Sequence, residues 1–343
     1  MNRARSSSPP PPPARAFGSV LAQTMVSSRT RQGAYQPWEA HPVEPLALDP
    51  ATHALHYGSA CFEALKAHRG EDSVVRIFRL ADHVARLRAS AAALCLPVPP
   101  GDLVTAMVGA TVEANLAEVP AAPGALYLRP TLLGVDASIG GAALPSAEAL
   151  LFVLASPVGD YFAGGRTLTV SVETDVPRST PQFGAVKAGA NYAMALGVIQ
   201  RARTEHGADQ VLFAPGGDVQ ETGASNFVLF AEGRVVTKAL DGSFLHGITR
   251  DSVLRIADHL GYAVEERDVH VDELRAWARS GEAALTGTAA VLAGVGTLVL
   301  HGERIVVGDG AVGPHTTRLR DGLLAIQRGR APDRWGWCRR CPA

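Results

Sequence analysis

Apolar positions alternate with polar ones in some stretches and recur every three to four residues in others, so the chain reads as short strands mixed with amphipathic helices. FRLADHVARLRASAAALCL (78–96) and DLVTAMVGATVEANLAEV (102–119) show helical spacing. ALYLRPTLLG (125–134) alternates, which puts Tyr127 and Arg129 on one face and Leu126 and Leu128 on the other. ALLFVLA (149–155) has the length of a buried strand, and ALHYGSACFEALKAH (54–68) reads as extended chain. Glycine and proline then accumulate in SPVGDYFAGG (156–165), which marks a boundary. Beyond it the pattern predicts strands RTLTVSVET, DQVLFAP, DVQET and SNFVLF, helices NYAMALGVIQRARTEH and TRDSVLRIADHL, and hairpin turns at GG and EG. The fold class is α+β, with a tail at 1–16, a smaller N-terminal domain at 17–155, an interdomain loop at 156–165, a larger domain at 166–337 and a C-terminal tail at 338–343.

At 343 residues and 47% hydrophobic content the chain is long enough for two cores. The formal net charge of -1 gives a nucleic-acid partner no electrostatic support. No apolar run approaches the roughly 20 residues that span a bilayer, so the expectation is a cytoplasmic protein acting on small molecules. MNRARSSSPPPPPAR at the start lacks the apolar core of a secretory signal and is expected to be a disordered tail. Cys61 and Cys95 lie in apolar surroundings, as reduced buried thiols do. Cys338 and Cys341 form a CxxC with no second pair to complete a zinc site, and a floppy tail is expected there.

Of 32 lysines and arginines only Lys66, Lys187 and Lys238 are lysine. Where arginine serves nearly every solvated cation, a remaining lysine marks a place where a primary amine is chemically required, because a guanidinium cannot form a Schiff base. Lys238 follows the strand RVVTK and is expected to be solvated, whereas Lys66 is open between surface and interior. Lys187 differs: it sits in GAVKAGANYA, among small residues that let a planar ring approach the backbone, directly before an amphipathic helix. No Walker loop, strand-to-helix GxGxxG, GxSxG elbow or HExxH helix competes with it.

Eight segments then line up in order: LALDPATHALHYGSACFEALKAHR, FRLADHVARLRASAAALCLP, ALYLRP, VKAGANYA, ADQVLFAPGGDVQETGASNFVLF, GITRDSVLRIA, LTGTAA and GPHTTRLRDGLLAIQRG. From Phe17 to Trp337 the chain resembles the branched-chain amino-acid aminotransferases among the class IV, fold type IV, pyridoxal 5'-phosphate enzymes. The resemblance implies a two-domain fold with the active site at the domain interface, a homodimer, and transfer of amino groups between Leu, Ile or Val and 2-oxoglutarate. It makes Lys187 the Schiff-base lysine and proton shuttle, Glu221 the partner of the pyridine nitrogen and Tyr192 the phenol on the cofactor's O3'. It gives the phosphate to Arg86, the backbone of Ile248, Thr249 and Thr288. It gives the substrate carboxylate to Thr288, Ala289 and Tyr127, the side-chain pocket to Tyr57, Phe62, Ile139 and Tyr161, and the side-chain carboxylate of glutamate to Arg129. Tyr57 is implied to reach toward the neighbouring subunit.

The chain departs from the family pattern in several places. Glu63-Ala64 stands for Glu-Gly, Asp136 for Glu and His246 for the proline before GITR, and Gln182-Phe183 occupies a shortened loop where a glycine pair is usual. Phe183 is expected to narrow the active-site mouth, which keeps open a specialised transaminase for another hydrophobic amino acid. D-amino-acid transaminases and aminodeoxychorismate lyase share the fold, but ALYLRP and HYGSACFEALK resemble the branched-chain group better. Joint retention of Lys187, Tyr192 and Glu221 argues against a silent cofactor-binding protein.

Overall fold

The alternation in ALYLRPTLLG builds the strand Ala125–Gly134. Leu126, Leu128 and Leu132 are fully buried, while Arg129 and Thr131 on the opposite face stay half-exposed. In the computed structural model, which describes residues 17–159 and 165–341, this strand lies near the middle of a nine-stranded antiparallel sheet. The order across that sheet is Cys338–Arg340, Val75–Phe78, Leu65–Arg69, Ala125–Gly134, Ala149–Val158, Thr24–Arg31 and Ala34–Tyr35. Glu39–Pro42 adds to Thr24–Arg31, and Ala60–Phe62 to Ala125–Gly134. Helices Leu80–Ala93 and Gly101–Ala114 cover one face, and their Val84, Leu87 and Ala91 with Val104, Met107, Val108 and Val112 meet Leu65, Ala67, Leu126 and Leu128 in one core.

The second sheet has eight strands, in the order Gln210–Phe213, Leu168–Glu173, Val291–Leu300, Glu282–Gly287, Asn226–Ala231, Arg234–Thr237 and Ala263–Glu266, with Glu303–Val306 on Val291–Leu300. It is mixed: Leu168–Glu173 runs parallel to both of its neighbours, and the central hairpins are antiparallel. Alternate residues feed separate cores. Phe227 and Leu229 pack with helix Val271–Ala278, while Val228 and Phe230 pack with helices Ile248–His259 and Pro314–Gln327. Mixed sheets with helices segregated around them make the fold α+β. Among the described residues no helix is long and apolar enough to cross a membrane.

Besides placing Cys95 on the surface rather than among buried thiols, the structure corrects four sequence expectations, and the N-terminal tail at 1–16 lies outside the described residues. The stretch 54–68 is not extended throughout: His53–Tyr57 is a helical turn, closed by Gly58 at a left-handed φ of 65°, before the strands begin. DVQET forms isolated bridges rather than a ladder strand, because it doubles back on DQVLFAP through Phe213 N to Glu221 O (3.0 Å) and Gln220 N to Phe213 O (3.0 Å). Lys238 is buried, not solvated. Its ammonium meets Asp218 at 2.9 Å, Asp268 at 2.8 Å and Asp241 at 3.3 Å, and although burial opposes the charge, these carboxylates hold its pKa above the ordinary lysine value.

The fourth correction concerns the C-terminus. Cys338–Arg340 is an edge strand on Val75–Phe78, and Cys341 is buried in the first core. Residues that follow the second sheet therefore complete the first. Trp337 secures the strap: its carbonyl accepts from Arg79 N at 2.6 Å, its ring meets Phe78 edge-on at 5.6 Å and stacks on Trp335 at 4.4 Å, and the Arg79 guanidinium lies 5.2 Å above it. Burial pushes the Cys338 thiol up to about 12 and the Cys341 thiol up to about 11, so neither is poised as a thiolate. Trp337→Ala is expected to cost about 3–5 kcal/mol of stability, read as a lowered midpoint in urea unfolding.

Candidate active site

Lys187 is held by its backbone from the first sheet and the helix Leu80–Ala93 that covers it. Its N–H donates to Ser90 Oγ at 3.0 Å, its carbonyl accepts from Phe62 N at 3.1 Å, and Ala188 bridges Cys61. Asn191 braces the preceding loop by donating to the carbonyls of Phe183 (2.9 Å) and Val186 (2.8 Å). Helix Gly189–His206 begins two residues after the lysine, which places Tyr192 in its first turn. Lys187 Nζ donates to the Tyr192 hydroxyl at 2.8 Å, and both lie close to the Phe62 ring.

Glu221 is almost wholly buried beside this pair. Its Oε1 accepts from Leu245 N at 2.9 Å and is ion-paired with Arg178 Nη1 at 2.9 Å, while Oε2 accepts from Asn226 Nδ2 at 3.2 Å. Burial raises its carboxyl pKa above the ordinary value, with Arg178 the strongest opposing influence.

Arg86 comes from helix Leu80–Ala93 and is locked by an acid. Its Nε donates to Glu63 Oε1 at 2.6 Å, Nη2 to Glu63 Oε2 at 3.0 Å, and Nη1 to the His246 carbonyl at 2.8 Å. One N–H on each terminal nitrogen is left for an anion. His83, one helical turn away, donates Nδ1–H to Glu63 at 2.7 Å. Burial works against the Glu63 charge, but Arg86 and His83 outweigh it and hold the carboxyl well below the usual carboxylate range.

The His246 carbonyl leads into Gly247, the cap of helix Ile248–His259, which has no side-chain cap. The free N–H groups of Ile248 and Thr249 and the helix dipole thus favour an anion on the Arg86 side. Gly247 is required by space, because a Cβ there would fall 1.8 Å from Asn226 Oδ1. The same Asn226 amide bonds Glu221 and the Leu245 carbonyl, so one side chain ties the anion turn to the buried acid.

A cavity of about 220 Å³ opens in front of Lys187 and Tyr192, lined by Phe62, Tyr127, Arg129, Gln210, Thr288 and Ala289 among others. Arg129 Nη2 donates to the Tyr127 hydroxyl at 2.9 Å and its guanidinium covers the Phe62 ring at 4.5 Å, yet its buried Nε has no hydrogen-bond partner among the described residues. The backbone N–H groups of Thr288 and Ala289 are likewise unclaimed there, while Thr288 Oγ1 donates to Ala64 O at 2.9 Å. These donors suit a carboxylate.

The structure therefore brings together Lys187, Tyr192, Phe62, Tyr127, Arg129, Thr288 and Ala289, with Glu221, Arg86, Ile248 and Thr249 on the flanks. Tyr57, at the end of the helical turn, and Ile139 are joined by a hydroxyl-to-carbonyl hydrogen bond and are not among the described residues that line this cavity. Tyr161 lies outside the described residues. Phe183 is not among the described residues that line the cavity; its carbonyl instead anchors Asn191. Sequence reasoning overlooks Arg178, His83 and Gln210, and meets Glu63 only beside an Ala-for-Gly change. The signal for Glu63 was the pair His83 and Arg86 on one helical face, which needs a buried partner.

A family model described as amino-transferase class IV matches residues 60–297. A probable branched-chain-amino-acid aminotransferase from Streptomyces coelicolor is 38% identical over 332 residues, covering 94% of this chain and 91% of its own length. The branched-chain-amino-acid aminotransferase of Mycobacterium tuberculosis is also 38% identical, over 339 residues, with the same coverage. The chain belongs to the branched-chain-amino-acid aminotransferase family. Among solved members, the T.th. branched-chain amino acid aminotransferase with pyridoxamine 5'-phosphate superposes with a TM-score of 0.79 at 28% identity, covering 94% of this chain and all of that one. The same enzyme is known with N-(5'-phosphopyridoxyl)-L-glutamate (TM-score 0.78) and with 4-methylvaleric acid (TM-score 0.76).

Members of the family use pyridoxal 5'-phosphate, and the residues here fit it: a buried amine, a buried acid, and free donors on Arg86 and the helix start at the far side. Glu63→Ala strips a buried guanidinium of its partner, and should destabilise the protein by about 3–5 kcal/mol and speed cofactor loss on dialysis, followed by absorbance. Because the Glu63 carboxyl is held low when folded, the advantage of wild type over Glu63→Gln is present at neutral pH and lost as pH falls below about 4, measured by urea titration across pH.

Proposed function

We propose that this protein moves amino groups between branched-chain L-amino acids and 2-oxoglutarate, with Lys187 as the covalent attachment point for pyridoxal 5'-phosphate. The observation that carries the reading is the Lys187 amine, fixed at the domain seam 2.8 Å from Tyr192 and facing a cavity with carboxylate donors. Bound there, the cofactor supplies an electrophilic carbon for the substrate amine and a ring that withdraws electrons from the substrate's Cα.

The chain's own groups divide the remaining work. Lys187 Nζ, tethered in the cavity, would take up the substrate's Cα proton at high effective concentration. Tyr192 orients that amine through its hydroxyl and serves the cofactor's O3'. Glu221, buried and paired with Arg178, would hold the cofactor's protonated ring nitrogen. Arg86, Ile248 and Thr249 would hold the phosphate, with Thr288 adding its hydroxyl once that turns from the Ala64 carbonyl. The Thr288 and Ala289 amides with Tyr127 hold the substrate's α-carboxylate, and Phe62 walls the side chain. Arg129 serves the second carboxylate of glutamate, with its unpartnered Nε as the waiting donor. The two complexes of the T.th. enzyme carry a glutamate adduct and an acid with the leucine carbon skeleton, the two chemistries that one cavity must accept.

The same reading includes a homodimer and a cytoplasmic location. Leu55, Ile139 and Leu144 are 63%, 74% and 70% exposed around Tyr57, an apolar surface that a second copy would cover, carrying Tyr57 and Ile139 into the neighbouring cavity. Tyr161 is assigned to the same side-chain pocket.

Borohydride reduction followed by peptide mapping should label Lys187, and Lys187→Ala should lose transamination altogether; a label elsewhere, or none, refutes the assignment. Leu, Ile and Val should all turn over with 2-oxoglutarate, whereas failure of all three beside turnover of another amino acid would establish the specialised enzyme. Light scattering is expected to give twice the 35.9 kDa chain mass.

A further inference from the structure

Arg178 lies in the segment that leads from strand Leu168–Glu173 to the Lys187 loop, and only 2% of its surface is exposed. Its Nε donates to Gly223 O at 3.2 Å and its Nη1 stands 2.9 Å from Glu221 Oε1. The guanidinium carbon also lies 5.2 Å from the centre of the Tyr192 ring. One buried cation thus touches both groups assigned to the cofactor's ring, the acid and the phenol, while bonding the backbone just beyond the acid.

We propose that Arg178 is a positioning residue that keeps Glu221 ionised and aimed, braces the Tyr192 ring against it, and thereby sets the acid side of the activity profile. The inference rests on the reading that Glu221 serves the cofactor's ring nitrogen. A carboxylate this deeply buried is driven toward its neutral form, and a neutral acid cannot hold a protonated ring nitrogen. The charged and titratable groups facing Glu221 are Arg178, Lys187, Arg86 and Tyr192. Arg86 is already paired with Glu63, and the Lys187 amine is committed to the cofactor, so Arg178 is the cation in direct contact with Glu221. Its Nε holds the Gly223 carbonyl while the same planar group keeps its charge 2.9 Å from the carboxylate, off hydrogen-bond alignment, an arrangement a lysine cannot reproduce.

The test uses the cofactor-loaded protein with Arg178→Met, Arg178→Lys, Glu221→Gln and the double variant Arg178→Met/Glu221→Gln. In Arg178→Met the acid limb of kcat/KM and the pH midpoint of the cofactor's visible band should both move up by about one unit or more. The kcat should fall about tenfold or more with a smaller change in KM, and cofactor should be retained on dialysis. Arg178→Lys, which restores charge without the fork, should recover most of the pH shift and less of kcat. In the Glu221→Gln background Arg178→Met should add little, since it acts through the missing acid. An unchanged band midpoint and kcat in Arg178→Met, beside an impaired Glu221→Gln, would overturn this inference alone. Wild-type behaviour of Glu221→Gln would overturn the reading beneath it as well. If Arg178→Met does not fold, the decision passes to the other two: full additivity in the double variant, or an Arg178→Lys band that titrates as wild type with unchanged kcat, counts against the proposal.

Discussion

The site depends on two backbone hydrogen bonds that reach Lys187 from the first sheet and its helix, one from the Phe62 amide and one to the Ser90 hydroxyl. A reactive amine on a flexible side chain is only as well placed as its own Cα. Here that Cα is fixed by the end of strand Ala60–Phe62 and by helix Leu80–Ala93, while the helix Gly189–His206 that follows packs on the second sheet. Separation of the two sheets would break both of these bonds, so the strap that stitches Cys338–Arg340 onto the first sheet also protects the geometry of the site.

Around that seam lie two buried ion pairs with opposite tasks. Glu63 restrains Arg86 so that part of the guanidinium is spoken for and part is free, and the carboxyl is kept charged by Arg86 and His83. Arg178 restrains Glu221, where burial prevails and the acid titrates above its ordinary range. Pairs of this kind contribute little net stability but are costly to break, which makes them sensitive positions for mutation and precise ones for holding a ligand. Asn226 and Gly247 join the two halves through contacts that tolerate no added side-chain atom at position 247.

Much of this was legible in the residues. The alternation in 125–134 reproduced the strand whose outward face carries Tyr127 and Arg129 into the cavity, and the helical spacing of 78–96 contained the helix that presents Arg86. Lys187 stood out because only a primary amine performs the chemistry and so few were present. The misreadings share a cause: the solvation expected of Lys238, the extended reading of 54–57 and the loose C-terminal tail were all judged from near neighbours. Lys238 meets Asp218 and Asp268 across the fold, and the tail finds the edge of a sheet far away in sequence.

The chain by itself determined the α+β class, the lysine and the types of group around it, because periodicity and functional-group chemistry are local properties of residues. Only the tertiary structure decided which acid faces which arginine, which donors stay unclaimed at the cavity, and that Tyr57 and Ile139 do not line it. Those outcomes depend on burial and on distances of about 3 Å between residues remote in sequence, and a buried charge is stabilised or expelled by its neighbours in space.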